Sequence, residues 1–350
     1  MTTLAESYDA LLLDLDGTVY LGGQPIDHVA PALARAKQQG ARSVFVTNNA
    51  SRPPTEVAAS LAGMGVPAEP DDVLTSPQAA AVMLSDRHPA GTRVLVVGAP
   101  WLAESVTNAG LVPVRLSTEE PAAVVQGHSP DTGWRDLAEA CIALRGGADW
   151  VACNVDSTLP TDRGMLPGNG AMVAALIAAT GLHPRVAGKP ERPLLDAAIR
   201  LVDSQRPLVV GDRLDTDIAC AVAAGAPSLL VFTGVSTAAD LLAAAPAQRP
   251  TYLAFDLRGL VEEDHAVRIP AATSSTSSLE WSVTSQADSL VLASGQGSNS
   301  DGRAVSDASA LRALAMLTAR AWVSGLTAAT PQDPSAAAAL ARCGLPVVTP

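Results

Sequence analysis

The sequence predicts an α/β fold: a mostly parallel sheet covered by helices on both faces, a second α/β domain inserted into it, and a small α+β segment appended. Three observations carry this expectation. Short apolar runs are continuous rather than alternating, as in strands buried on both faces. They are separated by amphipathic stretches of helical period. Most of them end in a polar cluster (DLDGT, TNNAS, GDRLDTD or TGVS), and in open parallel sheets ligands bind outside the carboxyl ends of the strands.

The first two strands are ALLLD (10–14) and SVFVT (43–47), with a helix over 29–39 between them. A second pattern then intervenes, with strands at TRVLVVG (92–98), AAVVQG (122–127) and DWVACN (149–154) and helices near 100–109, 134–145 and 168–180. PLVVGD (207–212) and SLLVFT (228–233), joined by a helix over 215–224, return to the first sheet. The expected domains are therefore a discontinuous core, 1–78 and 185–262, an inserted domain over 79–184, and an appendage over 263–350. In the appendage AATSSTSS (271–278) and SGQGSNSDG (294–302) read as polar loops around strands at 279–284 and 288–293. A helix over 303–323 and a last strand at LPVV (345–348) complete it.

Composition narrows the function. A chain of 350 residues, 48% of them hydrophobic, is long enough for more than one buried core. Its net charge of −12, with no Lys/Arg-rich block, argues against a nucleic-acid or anionic-membrane surface. An anionic substrate would need a local positive centre. The four cysteines, Cys141, Cys153, Cys220 and Cys343, have no CxxC spacing and read as reduced thiols of a cytoplasmic protein. MTTLAESYDA has neither the basic nor the apolar region of a signal peptide, and no apolar run approaches the roughly 18 residues of a membrane helix.

Four polar clusters carry the chemistry. Asp14 and Asp16 follow the first strand, with Gly17 behind them; Thr47, Asn48 and Asn49 follow the second. Lys189 stands in AGKP (187–190), and Asp212, Asp215 and Asp217 lie in GDRLDTD. Each alone has an ordinary explanation: an acidic turn, an Asn/Ser cap, a solvated lysine, carboxylates at a helix start. All four in order after expected strands suit phosphoryl transfer better. A hard divalent cation such as Mg2+ takes one or two carboxylates plus substrate phosphate. Asp14 and Asp212 would hold it together with the Asp16 backbone carbonyl, removing the repulsion between a phosphate dianion and a carboxylate nucleophile. Asp14 would attack phosphorus, and Asp16 would protonate the leaving alkoxide and then activate water. Lys189 and the Thr47 hydroxyl would bind phosphoryl oxygens, and Gly17 would let backbone N–H groups approach. Asp217 would hold metal waters or Lys189 from one step further out.

In order, DLDGT (14–18), TNN (47–49), GKP (188–190) and GDRLDTD (211–217) resemble the four motifs of the haloacid dehalogenase (HAD) superfamily of phosphatases, in its NagD/phosphoglycolate/pyridoxal phosphatase branch. The resemblance spans about residues 8–260. It implies a Rossmann-like core with a large α/β cap inserted between the second and third motifs. It also implies Asp14 as nucleophile, Asp16 as acid/base, Thr47 and Lys189 as phosphate binders, and Asp14, the Asp16 backbone and Asp212 as Mg2+ ligands. VVQGHSPDTGW (124–134) and CNVDSTLP (153–160) resemble the family's substrate-specificity region, although His128 stands where relatives often carry an Asp soon after the Gly. The appendage is outside the family pattern. It is loosely similar to part of an acetyltransferase-like fold, without an acyl-CoA pyrophosphate loop.

His128, Asp131, Trp134, Asn154 and Asp156 are the cap candidates to face the leaving group, with Trp134 expected instead to pack in the cap. With few arginines and no aromatic cage there, a small polyol or hydroxy-acid phosphate is expected, glycerol 3-phosphate first and phosphoglycolate next; pyridoxal phosphate and nucleotides are the alternatives. The expected partners are this small molecule and, by analogy with relatives whose cap shapes a dimer contact, a second copy of the chain. A receiver-like phospho-Asp signalling protein also combines Mg2+, Asp, Thr and Lys, but needs neither the insertion nor Asp16. A binding protein with a degenerate site would have lost the nucleophile or the lysine. NAD binding lacks its GxGxxG after the first strand.

Overall fold

The computed structural model describes residues 2–161, 163–271, 277–295 and 305–347. The chain divides into two compact units, Met1–Ser43 with Ser204–Pro350, and Val44–Asp203.

In the first unit the ALLL run forms the strand Ala10–Leu13, at most 1% exposed throughout. It pairs in parallel with Pro207–Gly211, Leu13 standing opposite Val210. Ser228–Val231 and Tyr252–Ala254 extend the sheet in parallel, and Ala266–Arg268 closes that edge antiparallel. A side chain on such a strand is covered whichever way it points, which is why the apolarity is continuous. The segment expected as one helix over 215–224 is divided. A π-helical turn, Leu214–Ile218, precedes the α-helix Ala219–Ala224.

The segment beyond 262 contains a hairpin, Trp281–Gln286 with Ser289–Ser294, and the helices Asp307–Ser324 and Pro334–Arg342. Its third strand is Ala328–Pro331, parallel to Ser289–Ser294. LPVV was the expected strand, but residues 345–347 are irregular, Leu345 being buried in the core, and residue 348 lies outside the described residues. AATP is an edge strand of small residues ending in proline, so it carries little strand signal. Parts of the two expected polar loops, and the start of the 303–323 helix, also fall outside the described residues. This segment shares one apolar core with the sheet: Trp281, Leu290, Leu314 and Leu340 cluster with Leu230 and Leu253. The Trp322 indole N–H donates to the Leu241 carbonyl at 3.0 Å, fixing the long helix to the same core.

The second unit carries a five-stranded all-parallel sheet in the order Arg185–Val186, Asp149–Ala152, Ala123–Gln126, Arg93–Val97, Val112–Val114. The helices Trp134–Arg145 and Asn169–Thr180 cover one face, burying Trp150, Val124 and Leu176. Trp134 itself is 81% exposed, a departure from the packing role expected for it. It is the first residue of its helix, so no preceding turn lies beneath its ring. The same unit holds the end of the strand Arg42–Thr47, where Phe45, Val46 and Thr47 pair in parallel with Val73, Leu74 and Thr75.

Candidate active site

In the first unit the parallel register sets the site. The Asp14 N–H donates to the Val210 carbonyl at 2.9 Å, so Asp14 and Asp212 leave neighbouring strands at nearly the same level. The π-helical turn then brings Asp217 back onto them. One carboxylate oxygen from each of Asp14, Asp212 and Asp217 lies within 4.8 Å of the others. Asp217, expected to hold metal waters or Lys189, has its carboxylate within this distance of the other two. Asp212 and Asp217 are 0% and 1% exposed. At such separations each ionised pair repels by about 3 kcal/mol, taking an effective dielectric of about 20. The nearest arginine in sequence, Arg213, is held by Asp215 through bonds of 3.0 and 2.8 Å. Three hard oxygen donors converging here, two of them buried, fit a divalent cation of the Mg2+ type.

Glycines make room for this cluster. Gly17 has φ +88°, and a Cβ there would come 2.5 Å from Asp212 Oδ2; one on Gly211 would come 2.4 Å from Asp217. Asp16 lies on the turn after Asp14. Partial desolvation raises its carboxyl above the ordinary aspartate range, against the pull of the Arg213 guanidinium and a hydrogen bond from the Gly22 N–H. A proton-donating role requires a shift in this direction.

Sequence reasoning gave no role to the residues that hold Asp212. The loop after the strand Ser228–Val231 passes directly over it. The Val235 N–H donates to Asp212 Oδ2 at 2.7 Å and the Ser236 N–H to its backbone carbonyl at 3.1 Å. The Leu214 N–H donates to Ser236 Oγ, and the Thr233 hydroxyl donates to the Gly17 carbonyl. TGVS ending a strand was the available signal. Backbone donors, however, leave no side-chain signature.

The second unit carries Thr47, Asn48, Asn49 and Lys189. Lys189 is 4% exposed, and its ammonium donates to the Val46 carbonyl at 3.3 Å. Thr47 Oγ1 accepts from the Asn49 N–H at 3.1 Å, and Asn49 Oδ1 accepts from both the N–H and the hydroxyl of Ser51. The Asn48 amide grips the backbone of Lys189 from both sides: Oδ1 accepts the Lys189 N–H at 2.8 Å, and Nδ2 donates to the Lys189 carbonyl at 2.9 Å. Asn154, placed among the leaving-group contacts by sequence, is 5% exposed, and its Nδ2 donates to the Asn48 carbonyl at 2.8 Å. His128 is half-buried just past Ala123–Gln126, Asp131 is exposed, and Asp156 Oδ2 lies 3.4 Å from Asn48 Nδ2.

A mostly parallel sheet with carboxylates gathered at its strand ends fits a class of metal-assisted hydrolases, and similarity to known proteins specifies it. The model of the haloacid dehalogenase-like hydrolase family matches residues 11–112, and a second, HAD-hydrolase-like model matches residues 186–260. The chain is 52% identical over 269 residues to D-glycerol 3-phosphate phosphatase of Mycobacterium tuberculosis, covering 77% of this chain and 75% of that one. It is 35% identical to the acid sugar phosphatase of Staphylococcus saprophyticus over 74% of this chain and 98% of that one. The crystal structure of glycerol phosphate phosphatase from M. tuberculosis in complex with magnesium superposes with a TM-score of 0.88 at 44% identity, covering 99% of this chain and 100% of that one. The chain belongs to the haloacid dehalogenase-like hydrolase family.

Proposed function

We propose that this chain is a Mg2+-dependent phosphomonoester hydrolase acting on glycerol 3-phosphate. The gathering of Asp14, Asp212 and Asp217 carries the reading of the chemistry. Its 52% identity to a D-glycerol 3-phosphate phosphatase supports the substrate. Asp14 and Asp212, with the Asp16 backbone carbonyl, hold the cation, and Asp217 steadies its surroundings. When bound, the cation offsets the negative charge between nucleophile and phosphate and polarises the phosphoryl group.

An Asp14 oxygen attacks phosphorus as the bond to the glycerol oxygen breaks, and Asp16 gives its proton to that leaving oxygen. The products of this half-reaction are glycerol and an Asp14 aspartyl phosphate. Asp16, now a carboxylate, takes a proton from water as the water attacks phosphorus, which releases inorganic phosphate and restores Asp14. Lys189 and Thr47 bind phosphoryl oxygens throughout. In this reading residues 79–184 form the cap that selects the alcohol, with His128 towards the leaving group, and a second copy of the chain docks through that cap. The reading also places the chain in the cytoplasm. Its four cysteines, none of them in a disulfide, support this, and no helix among the described residues is long and apolar enough to cross a membrane.

A panel of phosphomonoesters, assayed for phosphate release with Mg2+ and again after EDTA, tests the proposal. Glycerol 3-phosphate is expected to give the highest kcat/KM, with activity abolished by EDTA and restored by Mg2+. A preference of about tenfold or more for phosphoglycolate, pyridoxal phosphate or a nucleotide would replace the substrate; turnover unaffected by EDTA would remove the metal chemistry.

A further inference from the structure

Three asparagines of the second unit form a relay of side-chain-to-backbone hydrogen bonds. Asn169, 2% exposed at the start of the helix Asn169–Thr180, donates Nδ2 to the Asn154 carbonyl at 2.6 Å. Asn154 Nδ2 donates to the Asn48 carbonyl at 2.8 Å, where the Ser76 hydroxyl also donates at 2.8 Å. Asn48 then holds both backbone groups of Lys189. Each link pairs an amide with a peptide carbonyl in a buried or part-buried setting, and where such a group is buried a lost partner costs about 1–3 kcal/mol. The chain around Asn169 is built for close approach. A Cβ on Gly170 would stand 2.1 Å from the Val155 carbonyl oxygen, and one on Gly168 2.3 Å from that of Asp156. The Gly170 N–H donates to the Asp156 carbonyl at 2.9 Å, clamping 154–156 against the helix start. Gly188 is equally confined: a Cβ there would come 2.5 Å from Asn48 Oδ1.

We infer that Asn169, Asn154 and Asn48 are positioning residues for Lys189, fixing the backbone that carries its ammonium, and that Asn154 acts through this relay rather than on the leaving group. The inference rests on the proposed phosphatase reading for the role of Lys189. It has a consequence that a leaving-group contact lacks. Lys189 meets the phosphoryl group, which all substrates share, so loss of the relay weakens every substrate by the same factor. A residue touching the alcohol discriminates among alcohols.

The test uses the full chain with Asn154→Ala and, one link further out, Asn169→Ala, with glycerol 3-phosphate and p-nitrophenyl phosphate as substrates. Asn154→Ala is expected to lower kcat/KM about tenfold on both and to raise the inhibition constant for inorganic phosphate alike, with a smaller, equally uniform effect for Asn169→Ala. In a Lys189→Ala background the Asn154→Ala change is expected to add nothing. A loss confined to one ester, no loss at all, or full additivity with Lys189→Ala would overturn the inference. If Asn154→Ala fails to fold, Asn169→Ala carries the same comparison. If the unmodified chain hydrolyses neither ester, the phosphatase reading fails by itself. Calorimetric binding of inorganic phosphate, which needs no turnover, then reads the relay: weaker binding in both variants supports it, and unchanged binding ends it.

Discussion

Replacing Asp14 with Asn is expected to reduce phosphate release by about 10⁴-fold or more, with the far-UV circular dichroism unchanged. The strand that delivers Asp14 is fixed by burial of Ala10–Leu13 and by its register with Pro207–Gly211, neither of which involves the carboxylate. Asn is nearly isosteric but is a poor nucleophile, and it removes one of the three negative charges in the cluster. Calorimetric titration with Mg2+ should show weakened binding, since a charged oxygen ligand has become neutral. Retention of more than about a hundredth of the activity, relative to the loss expected for a nucleophile, would show that Asp14 does not attack phosphorus.

The second large effect is expected at a position with no chemistry of its own. In Gly234→Ala the new Cβ would stand 2.0 Å from Asp212 Oδ2, closer than any relaxed contact allows. Either the carboxylate shifts or the loop lifts, and both disturb the 2.7 Å bond from the Val235 N–H that orients Asp212. Mg2+ affinity should fall about 10- to 100-fold, as it does when outer partners of metal ligands are lost. Overpacking should also cost about 1–3 kcal/mol of stability in denaturant titrations. Gly63→Ala is a suitable control, since a Cβ there meets nothing within 4 Å. Equal Mg2+ affinity in Gly234→Ala and in the control would mean that the loop does not set the metal carboxylate.

The core strands were legible in the sequence because continuous apolar runs have few other uses, and the polar clusters because Asp, Asn and Lys after such runs are conspicuous. Less legible was whatever depends on backbone path. Asp217 joins Asp14 and Asp212 because a π-helical turn replaces the first turn of an α-helix, and nothing in LDTDI announces that change. Asn154 has the same side chain whether it points at a substrate or, as here, at the carbonyl of a residue 106 positions away. Asn169 at a helix start reads as ordinary capping chemistry, and only the close approach allowed by Gly168 and Gly170 reveals the neighbour it serves. In the C-terminal segment, Trp281 and Leu290 showed that apolar strands existed. That they complete the core around Leu230 and Leu253 is a long-range fact, which local periodicity does not encode.

The division of labour between Asp14 and Asp16 is the central claim, and one experiment separates the two half-reactions. p-Nitrophenolate leaves without needing a proton, so Asp16→Asn should still form the Asp14 acyl phosphate from p-nitrophenyl phosphate while failing to activate water for its hydrolysis. Rapid mixing of Asp16→Asn with that ester and Mg2+ is expected to give a burst of one p-nitrophenolate per chain. Acid quench and peptide mapping should then place an acyl phosphate on Asp14. Steady release without a burst, or a phosphoryl group on any other residue, would contradict the mechanism.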